Sequence, residues 1–237
     1  MDSQEIIRTI SKSHKKTPVK VFLEPKSMFS RIKLLRSKRK QFPLFKRSIM
    51  LTGEYTDIKE YIERNKEDIQ YIEIEYSCRN SALPLLDILE LNARIEPGAI
   101  IREGAIIHDQ AVILMGAVIN TKASIGHKTM IDMGAVIGGG AIIGNNCHIG
   151  ANSVIAGVIE PQSIKPCVIE NHVMIGANAV ILEGVRIGEN SVIGAGSIVL
   201  QDIPPDSVVV GNPGRVIKQK DERTISKSTI IEDLREL

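Results

Sequence analysis

Residues 125–155 read IGHKTMIDMGAVIGGGAIIGNNCHIGANSVI, with an isoleucine at every sixth position. This six-residue repeat, called the isoleucine comb here, continues in both directions with one break. Its members are Ile95, Ile101, Ile107, Ile113, Ile119, Ile125, Ile131, Ile137, Ile143, Ile149, Ile155, Ile169, Ile175, Ile181, Ile187, Ile193 and Val199. A helix has a period near 3.6 and a flat strand a period of 2, so neither explains a period of six. One short strand and one turn per hexapeptide explains it, and that pattern predicts a parallel β-helix.

The repeat predicts a triangular prism in which three hexapeptides make one coil. Each isoleucine points inward and stacks on those of the neighbouring coils, because β-branched side chains suit a packed, pleated surface. Four residues later stands a small side chain, such as Ala111, Ala135 or Cys147, where the corner leaves little room. Each coil is buried only by its neighbours, so we expect an array of about five to six coils.

Composition agrees with a core of stacked aliphatic residues. The chain has 237 residues, of which 43% are hydrophobic but only 3% aromatic, and it has no tryptophan. The net charge of +2 is too small to indicate a partner. The first 25 residues show no signal-peptide core, and no apolar run reaches the roughly 18 residues of a membrane span. The three cysteines form no CxxC pair, so we expect a cytoplasmic protein.

The chain divides into three predicted parts. Residues 1–90 form a small α/β domain, in which Val19, Val21 and Leu23 alternate as in a strand and Thr56 or Asp57 caps a helix. Residues 91–203 form the β-helix. Residues 204–237 hold a terminal motif and a polar helical tail that covers the open end of the prism. The fold class is therefore mainly β, with a small N-terminal α/β domain and a helical tail.

The comb breaks between Ile155 and Ile169, which are fourteen residues apart, two more than two hexapeptides. The segment between them contains two prolines, which an inner strand would reject. We therefore expect residues 156–168 to leave the prism as a loop, and loops on a rigid scaffold often carry functional residues.

A basic run extends from Arg31 to Arg47, with eight lysines and arginines and no acidic residue. One interpretation is a patch for phosphates or nucleic acid. The run contains few aromatic residues and no known nucleic-acid-binding motif, so a solvated segment is the preferred interpretation.

Several motifs resemble one enzyme family. They are RNSA at 79–82, ARIEPGAIIR at 93–102, MIDM at 130–133, NCHIGA at 146–151, GVIEP at 157–161 and GNPGR at 211–215. Together with the hexapeptide comb, they resemble the tetrahydrodipicolinate N-acetyltransferases, within the acyltransferases of the left-handed β-helix superfamily. The resemblance implies a left-handed prism, a homotrimer with sites in the grooves between prisms, and acetyl-CoA as co-substrate. It implies acetylation of the α-amine of the ring-opened dicarboxylate to give 2-acetamido-6-oxopimelate, a step toward diaminopimelate and lysine.

The candidate catalytic residues are Asp132, Glu160 and His148. A thioester is already activated, so the enzyme needs mainly to position the amine and remove its proton. Asp132 matches the aspartate that contacts the substrate amine in succinyl-transferring relatives, although a corner aspartate can also bond its own turn. Glu160 is a second carboxylate on the loop or a solvated charge. His148 is either a base, as in sugar-acylating relatives, or a corner histidine bonded to backbone.

Binding residues follow from the same resemblance. Arg94 and Arg102 are candidates for holding substrate carboxylates, because a guanidinium matches a carboxylate in a fork; surface ion pairing is the alternative. For the cofactor, we expect pantetheine to lie along the C-terminal coils and the phosphates to meet basic residues beyond them. The predicted cofactor residues are Ala177, Gly194, Ala195, Arg215 and Lys218.

Three other functions remain open. A related prism enzyme would use succinyl-CoA or acylate a sugar or serine. A metal hydratase would hold zinc by three histidines, but His108, His127, His148 and His172 include no close pair, so no metal is expected. A structural or nucleic-acid-binding prism would use the basic run and show salt-sensitive binding.

Overall fold

The structure is a computed structural model, and the residues it describes are 3–35, 41–44, 48–160, 162 and 165–235. Parts of the basic run and of the 156–168 loop lie outside the described residues, namely 36–40, 45–47, 161, 163 and 164. The described chain forms two compact units, one of Ser13–Ala82 and one of residues 3–12 with 83–235. The domain limits expected from the sequence, at 90 and 203, stay a proposal.

Four α-helices lie in the described residues. They are α1 (Ser3–Lys12), α2 (Met28–Leu35), α3 (Tyr55–Arg64) and α4 (Glu222–Lys227), with short 3-10 turns at Lys66–Asp68 and Glu232–Arg235. None of these helices is long and apolar enough to cross a membrane.

The Ser13–Ala82 unit is an antiparallel sheet with α2 and α3. Its strands are β1 (Pro18–Pro25), β2 (Gln41–Leu44), β3 (Ser48–Glu54) and β4 (Ile69–Tyr76), in the order β2-β3-β1-β4. The predicted alternation of Val19, Val21 and Leu23 is confirmed, because all three are buried. The predicted cap at Thr56 or Asp57 is wrong: α3 begins at Tyr55, directly after β3.

The other unit is a parallel β-helix with three faces. Face 1 contains β5 (Arg94–Ile95), β8 (Val112–Ile113), β11 (Met130–Ile131), β14 (His148–Ile149), β17 (Met174–Ile175) and β20 (Val192–Ile193). Face 2 contains β6 (Ile100–Ile101), β9 (Val118–Ile119), β12 (Val136–Ile137), β15 (Val154–Ile155), β18 (Val180–Ile181) and β21 (Ile198–Val199). Face 3 contains β7 (Ile106–Ile107), β10 (Ser124–Ile125), β13 (Ile142–Ile143), β16 (Val168–Ile169) and β19 (Arg186–Ile187).

Every residue of the isoleucine comb is the second residue of one of these strands. Along each face the comb residues pair in register, as Ile131 does with Ile113 and Ile149. Nearly all are buried, and the small residues four places later, such as Ala135 and Cys147, are buried beside them. The mainly β prism is therefore confirmed; its left-handed sense stays a prediction from the resemblance.

The break in the comb is an insertion at one corner. β15 lies on face 2 and β16 on face 3, so they are consecutive strands separated by fourteen residues instead of six. The insertion is thus eight residues long, whereas the sequence count suggested two. Gln162 in this loop donates to Ser3 of α1 at 3.2 Å, and Glu5 of α1 lies 3.7 Å from Lys122 on a neighbouring coil.

After the last coil, face 1 is extended by β22 (Ser207–Val210), which pairs with β20, and by β23 (Arg215–Gln219), antiparallel to β22. The carboxylate of Asp221 then caps α4 by accepting from the Thr224 N–H at 2.8 Å. The tail does not end over the last coil as expected. Its 3-10 turn reaches Lys128, where Arg235 donates to the backbone carbonyl at 3.0 Å.

Candidate active site

The corner between faces 1 and 2, called edge 1–2 here, carries Asp132 beside His148. Asp132 directly follows β11, and His148 opens β14, which pairs with β11 so that His148 lies opposite Met130. Residues 130 and 132 both point away from the inward Ile131, which places Asp132 diagonally next to His148. His148 Nε2 lies 3.8 Å from Asp132 Oδ2. The structure thus brings together two of the three predicted catalytic residues.

The two oxygens of Asp132 have different neighbours. Oδ1 accepts from the Met133 N–H at 2.7 Å, which fixes the carboxylate on its own turn. Oδ2 faces His148, at a distance too long for a direct hydrogen bond. The two side chains are 20% and 27% exposed, respectively, so solvent reaches the gap between them. An amine nitrogen placed in that gap would meet both groups.

Burial lowers the pKa of His148 below that of an ordinary histidine. Asp132 acts in the opposite direction by favouring the protonated ring, and Arg235 adds to the lowering. Removal from water disfavours a charged imidazole, which is the physical cause of the net direction. His148 is therefore neutral near pH 7 and able to accept a proton.

Along edge 1–2, the coils beyond Asp132 carry glycines. Gly150, Gly176 and Gly194 occupy the position of Asp132 in the next three coils. A Cβ atom on Gly150 would lie 2.6 Å from the Ile175 carbonyl oxygen, so the corner packs too tightly for a side chain. Above Asp132 the edge is therefore a path of backbone without side chains at these three positions, and it rises about 14 Å over three coils.

Ala177 and Ala195 line this path, each one residue after its glycine. The Ala177 carbonyl accepts from the Gly196 N–H at 2.9 Å. Within the described part of the chain, the N–H groups of Ala177 and Ala195 have no hydrogen-bond acceptor. The predicted cofactor residues Ala177, Gly194 and Ala195 therefore share one edge with Asp132 and present two backbone donors.

The loop that leads into β23 closes the upper end of edge 1–2. Its Gly211 carbonyl accepts from the Ile198 N–H at 3.0 Å, and the Gly214 N–H donates to the Ile198 carbonyl at 2.7 Å. Arg215 and Lys218 follow on β23, and both are exposed. Lys218 forms an ion pair with Asp221, with 2.7 Å between Nζ and Oδ2, so the carboxylate partly neutralises its positive charge.

The remaining predicted residues lie elsewhere on the prism. Arg94 is on face 1 two coils below Asp132, with its Nε 3.5 Å from a Glu96 oxygen. Arg102 follows β6 at the corner between faces 2 and 3, called edge 2–3, and donates to Asn120 at 3.3 Å. Glu160 is exposed on the loop at this same edge. Within one chain, the structure does not bring Arg102 or Glu160 to Asp132.

A groove of about 730 Å³ lies in the Ser13–Ala82 unit, and its lining contains no predicted site residue. Among the described residues, no group of three histidine, cysteine, aspartate or glutamate side chains could hold a metal ion.

Comparison with known proteins gives a family. Residues 1–88 match a family model described as tetrahydrodipicolinate succinyltransferase N-terminal, and residues 122–157 and 166–201 match bacterial transferase hexapeptide repeats. A 2,3,4,5-tetrahydropyridine-2,6-dicarboxylate N-acetyltransferase of Thermotoga petrophila is 53% identical over 240 residues, covering 100% of both chains. Proteins of that name from Oceanobacillus iheyensis and Clostridioides difficile are 54% and 51% identical, covering 100% of this chain and 99% and 98% of theirs.

The chain belongs to the tetrahydrodipicolinate N-acetyltransferases. This membership confirms the family resemblance drawn from the sequence motifs and makes the protein an acyltransferase.

Sequence reasoning missed one residue of this N-acetyltransferase. Arg235 is buried, with 4% of its surface exposed, and its charge acts on His148 and Cys147. Arg235 and Lys128 are 107 positions apart in the sequence, so no local sequence pattern indicates their contact. The Asp132–His148 pair could have been predicted, because a coil of eighteen residues sets residue 148 beside residue 130.

Proposed function

We propose that this protein transfers the acetyl group of acetyl-CoA to the α-amine of ring-opened tetrahydrodipicolinate. The product is L-2-acetamido-6-oxopimelate, an intermediate of diaminopimelate and lysine synthesis, made in the cytoplasm by a homotrimer. The names of the relatives support the reaction. The observation that carries the assignment to a site is the Asp132–His148 pair at the foot of an edge that presents the backbone N–H groups of Ala177 and Ala195.

The pair is suited to activating an amine. A free α-amine has a pKa of about 7.7–8.0, so a modest base is sufficient. Asp132 Oδ2 accepts one N–H of the amine and orients it, while the neutral His148 ring removes the proton. The nitrogen attacks the thioester carbon and the carbon–sulfur bond breaks. His148 then returns the proton to the departing CoA thiolate, so that the enzyme ends as it began.

Acetyl-CoA fits along edge 1–2. The N–H groups of Ala177 and Ala195 match the amide carbonyls of pantetheine, and the glycine at 194 keeps the path clear of side chains. Beyond the last coil, Arg215 and Lys218 supply positive charge for the phosphates. Because the backbone provides the lining, the donors are fixed in position before the cofactor arrives.

The two carboxylates of the substrate need cations. Arg94 lies about 10 Å from Asp132 along the prism, a distance that two coils set. Its Nε is buried and faces a Glu96 oxygen at 3.5 Å, but the side chain as a whole is 35% exposed, so the outer part of the guanidinium is the part that would meet a substrate carboxylate. Arg102 would meet a substrate only across a contact between copies, because it lies on edge 2–3.

The outward residues of face 2 support such a contact. All six are aliphatic: Ile100, Val118, Val136, Val154, Val180 and Ile198. None is fully buried in the single chain, and Met133 beside them on edge 1–2 is also exposed. An apolar stripe of this kind fits a copy-to-copy interface. In a ring of three prisms, edge 2–3 of one copy would approach edge 1–2 of the next, bringing Glu160 and Arg102 to Asp132.

The test is release of CoA from acetyl-CoA with tetrahydrodipicolinate by wild type, Asp132→Asn and Glu160→Gln. We expect Asp132→Asn to lose a factor of about 10² or more, and Glu160→Gln to lose about tenfold or more. If wild type is active and Asp132→Asn is unimpaired, the site assignment is wrong. Activity with a sugar or serine but not with the dicarboxylate would refute the substrate.

A mixture of the two variants tests the shared site. Each variant alone is expected to keep about a tenth of the wild-type activity or less, but in a mixed trimer some grooves pair an intact Asp132 with an intact Glu160 from the next copy. Random mixing should restore about a quarter of the wild-type sites. No recovery would place both carboxylates in the same chain's site.

Succinyl-CoA is the alternative donor, because the matching N-terminal family model carries the name of a succinyltransferase. The same assay with both donors decides between them. We expect kcat/KM for acetyl-CoA to exceed that for succinyl-CoA, as the names of the relatives imply.

A further inference from the structure

The loop that carries Glu160 leaves the prism from a fixed base on edge 2–3. The Val158 N–H donates to the Gly139 carbonyl at 3.1 Å, and the Val158 side chain is fully buried. A Cβ atom on Gly157 would lie 2.6 Å from the Gly139 nitrogen, so the two backbones are in direct contact. The start of the loop is therefore packed on the corner of the preceding coil, two residues before Glu160.

A second contact lies two residues beyond Glu160. Gln162 Nε2 donates to Oγ of Ser3 at 3.2 Å. Ser3 is the first residue of α1 and is only 3% exposed, whereas Glu160 itself is exposed. The Glu160 carboxylate thus belongs to a short segment that is held on both sides, by the corner of the prism and by α1.

The helix that supplies this second contact is itself fixed. α1 falls in the same compact unit as the β-helix, although the other unit follows it in the sequence. Ile6, about one turn after Ser3, is fully buried, so this face of α1 is packed against protein. Glu5 lies 3.7 Å from Lys122 on edge 2–3, but both side chains are largely exposed, so the ion pair adds little stability. The buried face holds α1 in place.

We propose that Ser3 and Gln162 are positioning residues that hold the Glu160 carboxylate where it meets the substrate. The proposal rests on the function proposed above, in which Glu160 enters the groove beside Asp132 of the next copy. A loop carboxylate without a second anchor would sample many positions, and a misplacement of about 1 Å can lower a rate by a factor of about 10². The contact with α1 reduces this freedom before the substrate binds.

The experiment measures kcat and KM for Ser3→Ala and Gln162→Ala, with Ser11→Ala as a control in the same helix. Each of the first two variants removes one partner of the hydrogen bond, whereas Ser11 is exposed and donates to Arg8 of its own helix. We expect kcat to fall about three- to tenfold in Ser3→Ala and Gln162→Ala, the effect of one net hydrogen bond, and to stay unchanged in Ser11→Ala. KM for acetyl-CoA should not change, because the proposed cofactor path follows edge 1–2.

The same changes in the Glu160→Gln background test whether they act through Glu160. If they only position this carboxylate, Ser3→Ala should have almost no further effect on kcat once the carboxylate is absent. A loss of equal size in both backgrounds would overturn the proposal, because Ser3 would then act on another group. An unchanged kcat in folded Ser3→Ala and Gln162→Ala proteins would also overturn it.

Hydrogen exchange of the amides at 158–160 and 162 measures the anchoring without turnover. Exchange should be faster in Ser3→Ala and Gln162→Ala than in wild type, and unchanged in Ser11→Ala. Unchanged exchange in all three variants would overturn the anchoring of the loop by α1. If wild type releases no CoA, or if Glu160→Gln is as active as wild type, the proposed function fails, and the exchange still decides whether α1 holds the loop.

Discussion

Faces 1 and 2 of the prism are alike inside and different outside. Both present the same inward ladder, in which Ile131 and Ile149 on face 1 correspond to Ile137 and Ile155 on face 2, all fully buried. The outward residues of face 1 are Arg94, Val112, Met130, His148, Met174 and Val192. Those of face 2 are all aliphatic and β-branched.

The difference shows which half of each two-residue strand has which task. The second residue points inward and fixes the fold, so it repeats. The first residue points outward and is free to vary, so one face can carry a base and its neighbour can carry an assembly surface. A period of six therefore reveals the architecture and which outward positions are neighbours, but it does not reveal which residue types occupy those positions.

The largest effect should follow from a charge on face 2. Ile100→Glu would bury three carboxylates in the proposed trimer, and an unpaired buried charge is strongly destabilising. We expect dissociation and a loss of nearly all activity. Analytical ultracentrifugation measures the mass, and the CoA assay measures the activity.

Ile106→Glu is the matched control for this change. Ile106 is the same residue type, also 47% exposed, six positions later on face 3. We expect it to leave the trimer intact. If Ile106→Glu dissociates the assembly and Ile100→Glu does not, the interface lies on the other face.

Next in size is the loss of the proposed base on face 1. His148→Gln should lower kcat by a factor of about 10² or more, while His172→Gln, at an exposed corner, should change it little. Because the pKa of His148 is lowered, the wild-type rate should persist to more acidic pH than an ordinary histidine would allow, and then fall as the ring is protonated. An unaltered acid limb in His148→Gln would exclude His148 as the base.

The fold could be predicted from the sequence because its information is local. Each comb residue ends a strand, so the positions of β5 to β21 follow from spacing alone. The predicted length of the corner insertion, two residues, was wrong. The count from the sequence assumed that a further hexapeptide, and so one more face of the prism, lies between Ile155 and Ile169. In the structure, β15 and β16 follow each other directly around the prism.

The arrangement of the candidate site could be predicted only in part from the sequence, because its contacts are not local. Asp132 and His148 are one coil apart, so the period brings them together. Glu160 and Arg102 fall on another edge, since corner positions depend on which face a hexapeptide occupies. Arg235 reaches the site through the tail, and no periodicity connects residue 235 to residue 128.

A smaller effect should come from the inward ladder. Ile137→Ala removes buried methyl groups from face 2 and should reduce the free energy of unfolding by about 2–5 kcal/mol. Denaturant titration measures this change. Val136→Ala, the outward neighbour, should cost much less under conditions where the chain is monomeric. Equal costs would mean that both residues of the strand are packed alike, contrary to the difference in their burial.

The smallest effect concerns the corners that separate the faces. Asn190 has φ 61°, in the left-handed region that asparagine tolerates and alanine does not. Asn190→Ala should lower the free energy of unfolding by about 1 kcal/mol, whereas Asn190→Gly should be nearly neutral, because glycine adopts this conformation without steric cost. Neither change should alter the CoA assay, since Asn190 lies at the corner between faces 3 and 1, away from Asp132. If glycine costs as much as alanine, the asparagine side chain and not its backbone angle stabilises the corner.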